Sequence, residues 1–291
     1  MPVFALITAV VIWGGSFIAT KAAVAEVPPV AFAVMRFGVA IAGLVVAHLV
    51  SRSPLRVPRE LWGRVALAGF LGITVTYVLE NIALRFTTAG NSALFIAASP
   101  LLTVMGAVVF LGERLTWRVG TGALLAFTCM VALIGGTVAQ TGLGDALMAL
   151  NTLVGACYAL VSKTLADRIS PLSALTSTFT VGTLALLPCA GIEALLHPAA
   201  WHMSGAAWGS LIYLGIGSSC LAYWLWMYAL GQMSASSVGI FLYLMPVVTL
   251  FLSAFLLREP FSAAKVAEAA LILLGVYLAG SKSVELNPEP V

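Results

Sequence analysis

Ten runs of about 20 mostly apolar residues, each long enough to cross a bilayer as a helix, leave this 291-residue chain few ways to fold. They cover residues 3–24, 30–50, 61–84, 88–111, 118–137, 143–163, 171–195, 206–230, 234–257 and 263–281. The gaps between them are short, and none could hold a soluble domain. Composition agrees: 61% of residues are hydrophobic and 9% charged, whereas soluble chains carry about 25% charged residues. A globule this apolar could not cover its surface in water, so lipid must cover it. The expected fold is an all-α polytopic membrane protein with ten transmembrane helices.

The first run ends near Ala23-Val24-Ala25, as a secretory signal would. It lacks a basic leading region and many further apolar runs follow, so it is expected to be a retained first helix. The four cysteines, Cys129, Cys157, Cys189 and Cys220, lie in four different runs and have no metal-ligand spacing. They are expected to be small buried side chains. No cofactor and no metal is implied. The net charge of +3 is spread over short gaps rather than gathered in a patch, which argues against nucleic acid as a partner.

Lys and Arg set the orientation, because cytoplasmic loops carry their excess. With the N-terminus inside, the inner loops hold Arg52, Arg56, Arg59, Arg64, Arg114, Arg118, Lys163, Arg168 and Lys282. The outer loops then hold Lys21, Arg85, Arg258 and Lys265, with Arg36 left inside the membrane. Both termini are thereby placed in the cytoplasm.

The chain also nearly repeats itself. Tyr77, Ala83, Leu84, Ala89, Phe95, Pro100, Thr103, Leu111 and Glu113 recur as Tyr223, Ala229, Leu230, Ala235, Phe241, Pro246, Thr249, Leu257 and Glu259, since 223−77, 246−100 and 259−113 all equal 146. Lys21 and Pro29 correspond to Lys163 and Pro171 at an offset of 142, and Leu71-Gly72-Ile73 to Leu214-Gly215-Ile216 at 143. Most of the length difference therefore falls inside the third span. Five spans per copy is an odd number, so the second copy must enter the membrane upside down. The loop charges agree: Arg52, Arg56, Arg59 and Arg64 follow the second span, whereas the loop 197–202 after the seventh has no Lys or Arg. The chain divides into repeats at 1–139 and 140–281, with a cytoplasmic tail at 282–291 expected to be disordered. Paired inverted repeats place a substrate site between them.

Pro100 and Pro246 fall midway along the fourth and ninth spans, where each removes a donor and crowds the carbonyl four residues earlier. A packing kink explains either one alone; the symmetric placement makes them a pair of hinges. Helical spacing then nominates neighbours. Phe95 and Ser99 share a face before Pro100, as Phe241 and Met245 do before Pro246. Tyr77 and Asn81 share a face of the third span, as Tyr223 and Met227 do on the eighth. Trp13 and Ser16 lie mid-span in the first helix, and Tyr158 is the register equivalent of Ser16 in the sixth. Singly, each aromatic is explained by core packing or lipid contact. As a symmetric set with hydroxyls and an amide, they read as the lining of a substrate cavity.

Charges within the membrane are few and informative because they are costly there, and Arg36 and Glu80 stand out. Arg36 sits about two turns into the second span, and Glu80 towards the outer end of the third. Arg36 could anchor a carboxylate and Glu80 bind a cation or a proton. Alternatively, both pair with polar neighbours or reach an interface. Glu113 and Glu259 fall just past helix ends, where a turn role is expected. Lys21 and Lys163 close their helices and complement the helix dipole.

An intramembrane enzyme is the remote alternative. Gly142-Leu143-Gly144-Asp145 matches a Gly-x-Gly-Asp protease pattern, but the only other aspartate, Asp167, falls at the opposite membrane face, and such chemistry needs two adjacent carboxylates. Asp145 is better explained as the N-cap of the sixth helix. His48, His197 and His202 have no zinc-like spacing, and no catalytic site is expected.

These residues resemble the drug/metabolite transporter superfamily in its EamA-like, ten-helix branch. Trp13-Gly14-Gly15-Ser16-Phe17 and Arg36-Phe37 are similar to motifs of its first two helices. Ser99-Pro100 followed by Leu111-Gly112-Glu113-Arg114-Leu115 is similar to the signature closing its fourth. Gly144-Asp145-Ala146-Leu147 resembles the start of its sixth, whereas Leu257-Arg258-Glu259-Pro260 lacks the glycine. The resemblance implies a five-plus-five inverted bundle in the bacterial inner membrane, exporting amino acids or related metabolites by alternating access. By overall resemblance the chain is similar to aromatic amino-acid exporters. A multidrug or cation efflux carrier and a passive facilitator of the same fold are the alternatives. The partners implied are a small-molecule substrate and the lipid bilayer, and a monomer is compatible with the sequence. If Pro100 and Pro246 are hinges, Pro100→Ala and Pro246→Ala should each slow transport severalfold; wild-type rates in reconstituted vesicles would remove the hinge role.

Overall fold

The computed structural model describes residues 1–24, 26–83, 86, 95–96, 98–134, 142–196, 203–245, 247–248, 251 and 263–280. Pro246, Glu259, the side chain of Asn81 and the tail 282–291 lie outside the described residues. The described elements are all helical, with no strand among them. They are α1 (Pro2–Val24), α2 (Pro29–Ser51), α3 (Trp62–Gly69), α4 (Thr76–Ala83), α5 (Ser99–Leu111), α6 (Trp117–Ile134) and α7 (Leu143–Ala166). There follow α8 (Pro171–Leu196), α9 (Gly205–Ile212), α10 (Tyr223–Leu230), α11 (Ala235–Phe241) and α12 (Ala263–Gly280). A π-helical segment, Phe70–Val75, joins α3 to α4 without a break, and a longer one, Tyr213–Ala222, joins α9 to α10.

Among the described residues, five stretches are each long and apolar enough to cross a bilayer: Pro29–Ser51, Arg59–Glu80, Leu143–Ala166, Pro171–Leu196 and Gly205–Leu230. Shorter apolar helical runs, Pro2–Ser16, Ser99–Leu111 and Ala269–Leu278, accompany them. Leu49, Phe4, Phe110 and Leu195 are between 73% and 82% exposed, while Ser218, Ser219 and Thr178 are completely buried. Apolar residues outside and hydroxyls inside suit a protein whose solvent is lipid. Many of the buried hydroxyls are satisfied within their own helix, as when Thr152 donates to the Met148 carbonyl and Ser177 to that of Ser173.

Carboxylates from distant positions hold several helix starts, where four backbone N–H groups have no partner inside the helix. At α2, Pro29 has no N–H, and the next two, of Val30 and Ala31, donate to Glu193 Oε2 at 2.8 and 2.9 Å. The backbone N–H and hydroxyl of Ser204, the N-cap of α9, both donate to Glu26. At α11 the acceptor is Glu113, whose Oε1 takes the Ala235 N–H at 2.6 Å and whose Oε2 takes the Ser236 N–H and hydroxyl. Gly112 makes this reach available: its φ of 67° ends α5 in the left-handed conformation that favours glycine, and the Glu113 N–H turns back to the Ala107 carbonyl. Glu113 thus does more than the turn role expected of it, because it fastens the end of α5 to the start of α11.

Two other termini differ from the sequence reading. Gly142 is the N-cap of α7, and Asp145 is the third residue inside it, accepting from the Gly142 N–H at 3.3 Å. α7 ends at Ala166 and not at 163, with Lys163 in its last turn as expected and paired with Asp167 at 2.6 Å. Pro100 lies in the first turn of α5, where a missing N–H costs nothing, with Phe95 and Ile96 helical just ahead of it and a turn at Ala98 between.

The helices pack crosswise: α2 against α8 and the second π segment, α8 against α3 and the first π segment, α1 against α10 and the second π segment, and α7 against α4 and α5. α5 lies on α11, and α6 on α12. The closest approach is between α3 and α8. A Cβ on Gly182 would lie 2.4 Å from the Gly69 carbonyl oxygen, and one on Gly69 would lie 2.5 Å from that of Thr178. Small residues at such crossings let backbones meet where lipid supplies no hydrophobic drive to association. Gly182→Ala should destabilise the folded protein by about 1–3 kcal/mol, the range for overpacking a tight interface. Gly191→Ala, on the same helix with nothing within 4 Å of its added methyl, should cost nothing. Detergent-phase thermal unfolding of the two variants compares them directly.

Candidate functional site

The site is organised by the two π segments. Such widened turns insert extra residues into a helix and disturb the regular ladder, so some carbonyls must find donors elsewhere. In the shorter segment, the Thr76 hydroxyl donates to the Leu71 carbonyl at 2.8 Å. In the longer one, the donor comes from α1: Trp13 Nε1 reaches the Ser218 carbonyl at 3.1 Å. α2 adds Arg36, whose Nε donates to Ser219 Oγ at 2.7 Å and whose Nη2 donates to Ser218 Oγ at 3.0 Å. Tyr213 binds in the other direction, its hydroxyl donating to the Ile12 carbonyl at 2.7 Å. Ile73 and Tyr77 are four residues apart and Ile216 and Tyr223 seven; the three additional residues fall within or next to the longer π segment.

Tyr77 and Tyr223 stand just beyond the two segments, on α4 and α10. Tyr77 meets Phe37 edge-on, with ring centroids 5.2 Å apart at 84°. Tyr223 meets Phe179 at 5.3 Å and 81°. Phe37 and Phe179 then touch each other at 5.0 Å, which joins the two pairs into one arc. Trp13 extends the arc by packing on Tyr223 at 5.0 Å, and Trp226 adds a stacked contact with Tyr158 at 5.9 Å. Six elements, α1, α2, α4, α7, α8 and α10, therefore contribute rings to one cluster. Trp226 Nε1 is buried there with no acceptor among the described residues.

The two intramembrane charges sit at the Tyr77 end. The Arg36 guanidinium lies 5.9 Å from the centre of the Tyr77 ring, within cation–π range. Glu80 lies one turn beyond Tyr77 on α4. Arg36 and Glu80 both neighbour Tyr77, and no ion pair joins them. Tyr77, Glu80 and Tyr223 are each half-buried.

Of the residues nominated from sequence, Trp13, Tyr77, Tyr158 and Tyr223 come together with Arg36 and Glu80. Ser16 is half-buried, with its hydroxyl donating to the Trp13 carbonyl at 2.7 Å. Ser99 is half-buried at the start of α5, its hydroxyl facing Gly155 of α7. Phe95 is half-buried before that helix, and Met245 packs half-buried against the apolar core. Met227 and Phe241 are buried within that core. Ahead of both proline positions the winding tightens: Ala98 donates to Phe95, and Leu242, Tyr243 and Met245 each donate to the carbonyl three residues back.

Phe37, Phe179 and Trp226, and the hydroxyls of Ser218 and Ser219, were not nominated. A signal existed for the first two, since 179−37 equals the 142 offset that relates Pro29 to Pro171. Trp226 is one turn from Tyr223 and shares its face. The serines carried no signal, because only the tertiary packing brings them to Arg36. Among the described residues no group of histidine, cysteine or acidic side chains could hold a metal ion, and no disulfide is formed.

Apolar surface outside, with rings, hydroxyls and two charges gathered between the helices, makes this a multi-pass membrane protein of the transporter class. Residues 1–135 and 142–281 match the EamA-like transporter family, and the chain belongs to that family. It is 30% identical over 287 residues to a probable terminal-alkyne amino-acid exporter of Streptantibioticus cattleyicolor, covering 97% of this chain and 94% of that one. An uncharacterized transporter of Archaeoglobus fulgidus is 28% identical over 271 residues, 92% of this chain and 95% of the relative. A solved crystal structure superposes with a TM-score of 0.79 at 23% identity, covering 97% of each chain, which shows a shared fold.

Trp13→Phe keeps a ring in the arc but removes the indole bond to the Ser218 carbonyl. The net loss of one buried hydrogen bond costs about 0.5–1.5 kcal/mol, so this variant should unfold earlier than wild type on heating in detergent. An unchanged unfolding midpoint would mean that the π segment does not need this bond.

Proposed function

We propose that the protein is an exporter of small amphipathic metabolites, aromatic or other large neutral amino acids in particular, working by alternating access through the cavity behind Tyr77 and Tyr223. The observation that carries this reading is the arc of rings with Arg36 and Glu80 at one end. Aromatic pairs contribute about 0.5–1.5 kcal/mol each beyond the area they bury, so an aromatic substrate entering such a wall gains specific contacts. The relative named as a probable amino-acid exporter supports the same class of cargo.

The architecture in this proposal is ten spans in two inverted repeats, 1–139 and 140–281, with both termini in the cytoplasm of a bacterial inner membrane. Equivalent contacts support it. Phe37 meets Tyr77 as Phe179 meets Tyr223, with nearly the same separation and angle, and the two phenylalanines touch where the repeats would be related. The tightened turns before positions 100 and 246 support a pair of hinges there. The excess of Lys and Arg on one side supports the orientation.

A second reading, efflux of amphiphilic cations, is favoured by Glu80, a carboxylate beside aromatic rings that accepts no hydrogen bond among the described residues. Efflux from proteoliposomes loaded with labelled amino acids and with amphiphilic drugs separates the two. Saturable phenylalanine or tryptophan efflux is expected, and drug efflux alone would replace the first reading by the second. Tyr77→Ala and Tyr223→Ala should lower that flux about tenfold, a loss of roughly 1.4 kcal/mol. Phe110→Ala, on the lipid-facing surface, should leave it unchanged.

A further inference from the structure

We infer that Arg36 and Glu80 form a two-point clamp for a zwitterion, with Arg36 taking the carboxylate, Glu80 the ammonium group, and the Tyr77 ring lying between them. This rests on the reading of the cavity given above and specifies which chemical form of cargo it accepts.

The geometry of Arg36 comes first. Its Nε and Nη2 are committed to Ser219 and Ser218, which fixes the plane of the guanidinium. Its Nη1 has no hydrogen-bond partner among the described residues. A guanidinium held by two bonds with one nitrogen left over is a preorganised donor, because little freedom remains to be lost when an oxygen arrives. Its position over the Tyr77 ring, 5.9 Å from the centre, directs the charge towards α4.

Glu80 completes the pair. It accepts no hydrogen bond among the described residues, keeps accessible surface, and lies one turn from Tyr77, near whose ring Arg36 sits, without forming an ion pair with Arg36.

Charge economy then selects the ligand. Two opposite charges that neighbour one ring without pairing are costly in a membrane interior. A direct ion pair would remove that cost but leave no group for a ligand. A cation satisfies Glu80 alone and an anion Arg36 alone, and each leaves the other charge enclosed and unpaired. A zwitterion satisfies both and adds no net charge. An amino acid carries its carboxylate and ammonium on one carbon, with the side chain projecting away from them. Here that side chain would project along the arc from Tyr77 and Phe37 towards Phe179 and Tyr223.

The test uses the purified full chain and three ligands of one shape: phenylalanine, phenethylamine, which lacks the carboxylate, and 3-phenylpropionate, which lacks the amine. Binding is read by the quenching of intrinsic tryptophan fluorescence. Wild-type protein should prefer phenylalanine to either analogue by about tenfold or more, the effect of one charged hydrogen bond. Glu80→Gln should weaken phenylalanine and phenethylamine and leave 3-phenylpropionate within about twofold. Arg36→Gln should weaken phenylalanine and 3-phenylpropionate and spare phenethylamine; Arg36→Lys, which keeps the charge, should fall between it and wild type. If the Arg36 variants do not fold, the wild-type ligand series and Glu80→Gln still decide the matter. Equal affinity of wild type for phenylalanine and phenethylamine would overturn the clamp while leaving an aromatic exporter in place. So would a uniform loss for all three ligands in both Arg36→Gln and Glu80→Gln. Failure of all three ligands to bind wild type would overturn the reading of the cavity, and the clamp with it.

Discussion

A widened helical turn in lipid must be met by donors from other helices, and that requirement organises the centre of this protein. The long π segment between α9 and α10 is bound by Trp13 from α1 and by Arg36 from α2, and it binds back to α1 through Tyr213. In water, solvent could satisfy a displaced carbonyl. In hydrocarbon, the partner must be protein. The indole of Trp13 meets a carbonyl of the irregular winding, while the guanidinium of Arg36 meets the Ser218 and Ser219 hydroxyls carried on it, so both groups are held in the bundle interior.

The ends of the helices follow a related rule. Glu26, Glu113 and Glu193 each accept from a helix start that is distant in sequence. A carboxylate at a helix N-terminus is favourable both as a hydrogen-bond acceptor and as a counter-charge to the helix dipole. Each such contact also joins two elements at the edge of the apolar region, where side-chain packing against lipid gives little guidance. The glycine and glutamate after α5 show how two adjacent residues divide the work: Gly112 stops one helix and Glu113 starts another.

Much of the site was legible because scarce residues stand out in an apolar chain. Tyr77 and Tyr223 were marked by their common offset, Trp13 by its motif, and Arg36 and Glu80 by the cost of charge within a span. Phe179 was hidden although it obeys the 142 offset, since phenylalanine is too common in such helices for one match to attract notice. Asp145 was placed in the right turn but in the wrong role, because Gly142 can cap α7 without a side chain and leaves Asp145 to answer it from inside the helix. Pro100 was expected to interrupt a span, and it stands in the first turn of α5 with a turn at Ala98 just ahead of it.

By itself, the sequence determined that this chain is helical, that its helices lie in a membrane, and that it carries the motifs of an EamA-like transporter. Length and hydropathy suffice for the first two, since about 20 apolar residues in a row have one stable form in a bilayer. Only the tertiary structure decided that Phe37 touches Phe179, that Arg36 is held by Ser218 and Ser219, and that Glu113 reaches α11. Those contacts depend on how far each helix is rotated about its axis. A helix that is apolar all round marks no inward face in its sequence, so the rotation is set by the close glycine contacts and cross-helix hydrogen bonds that form when the helices meet.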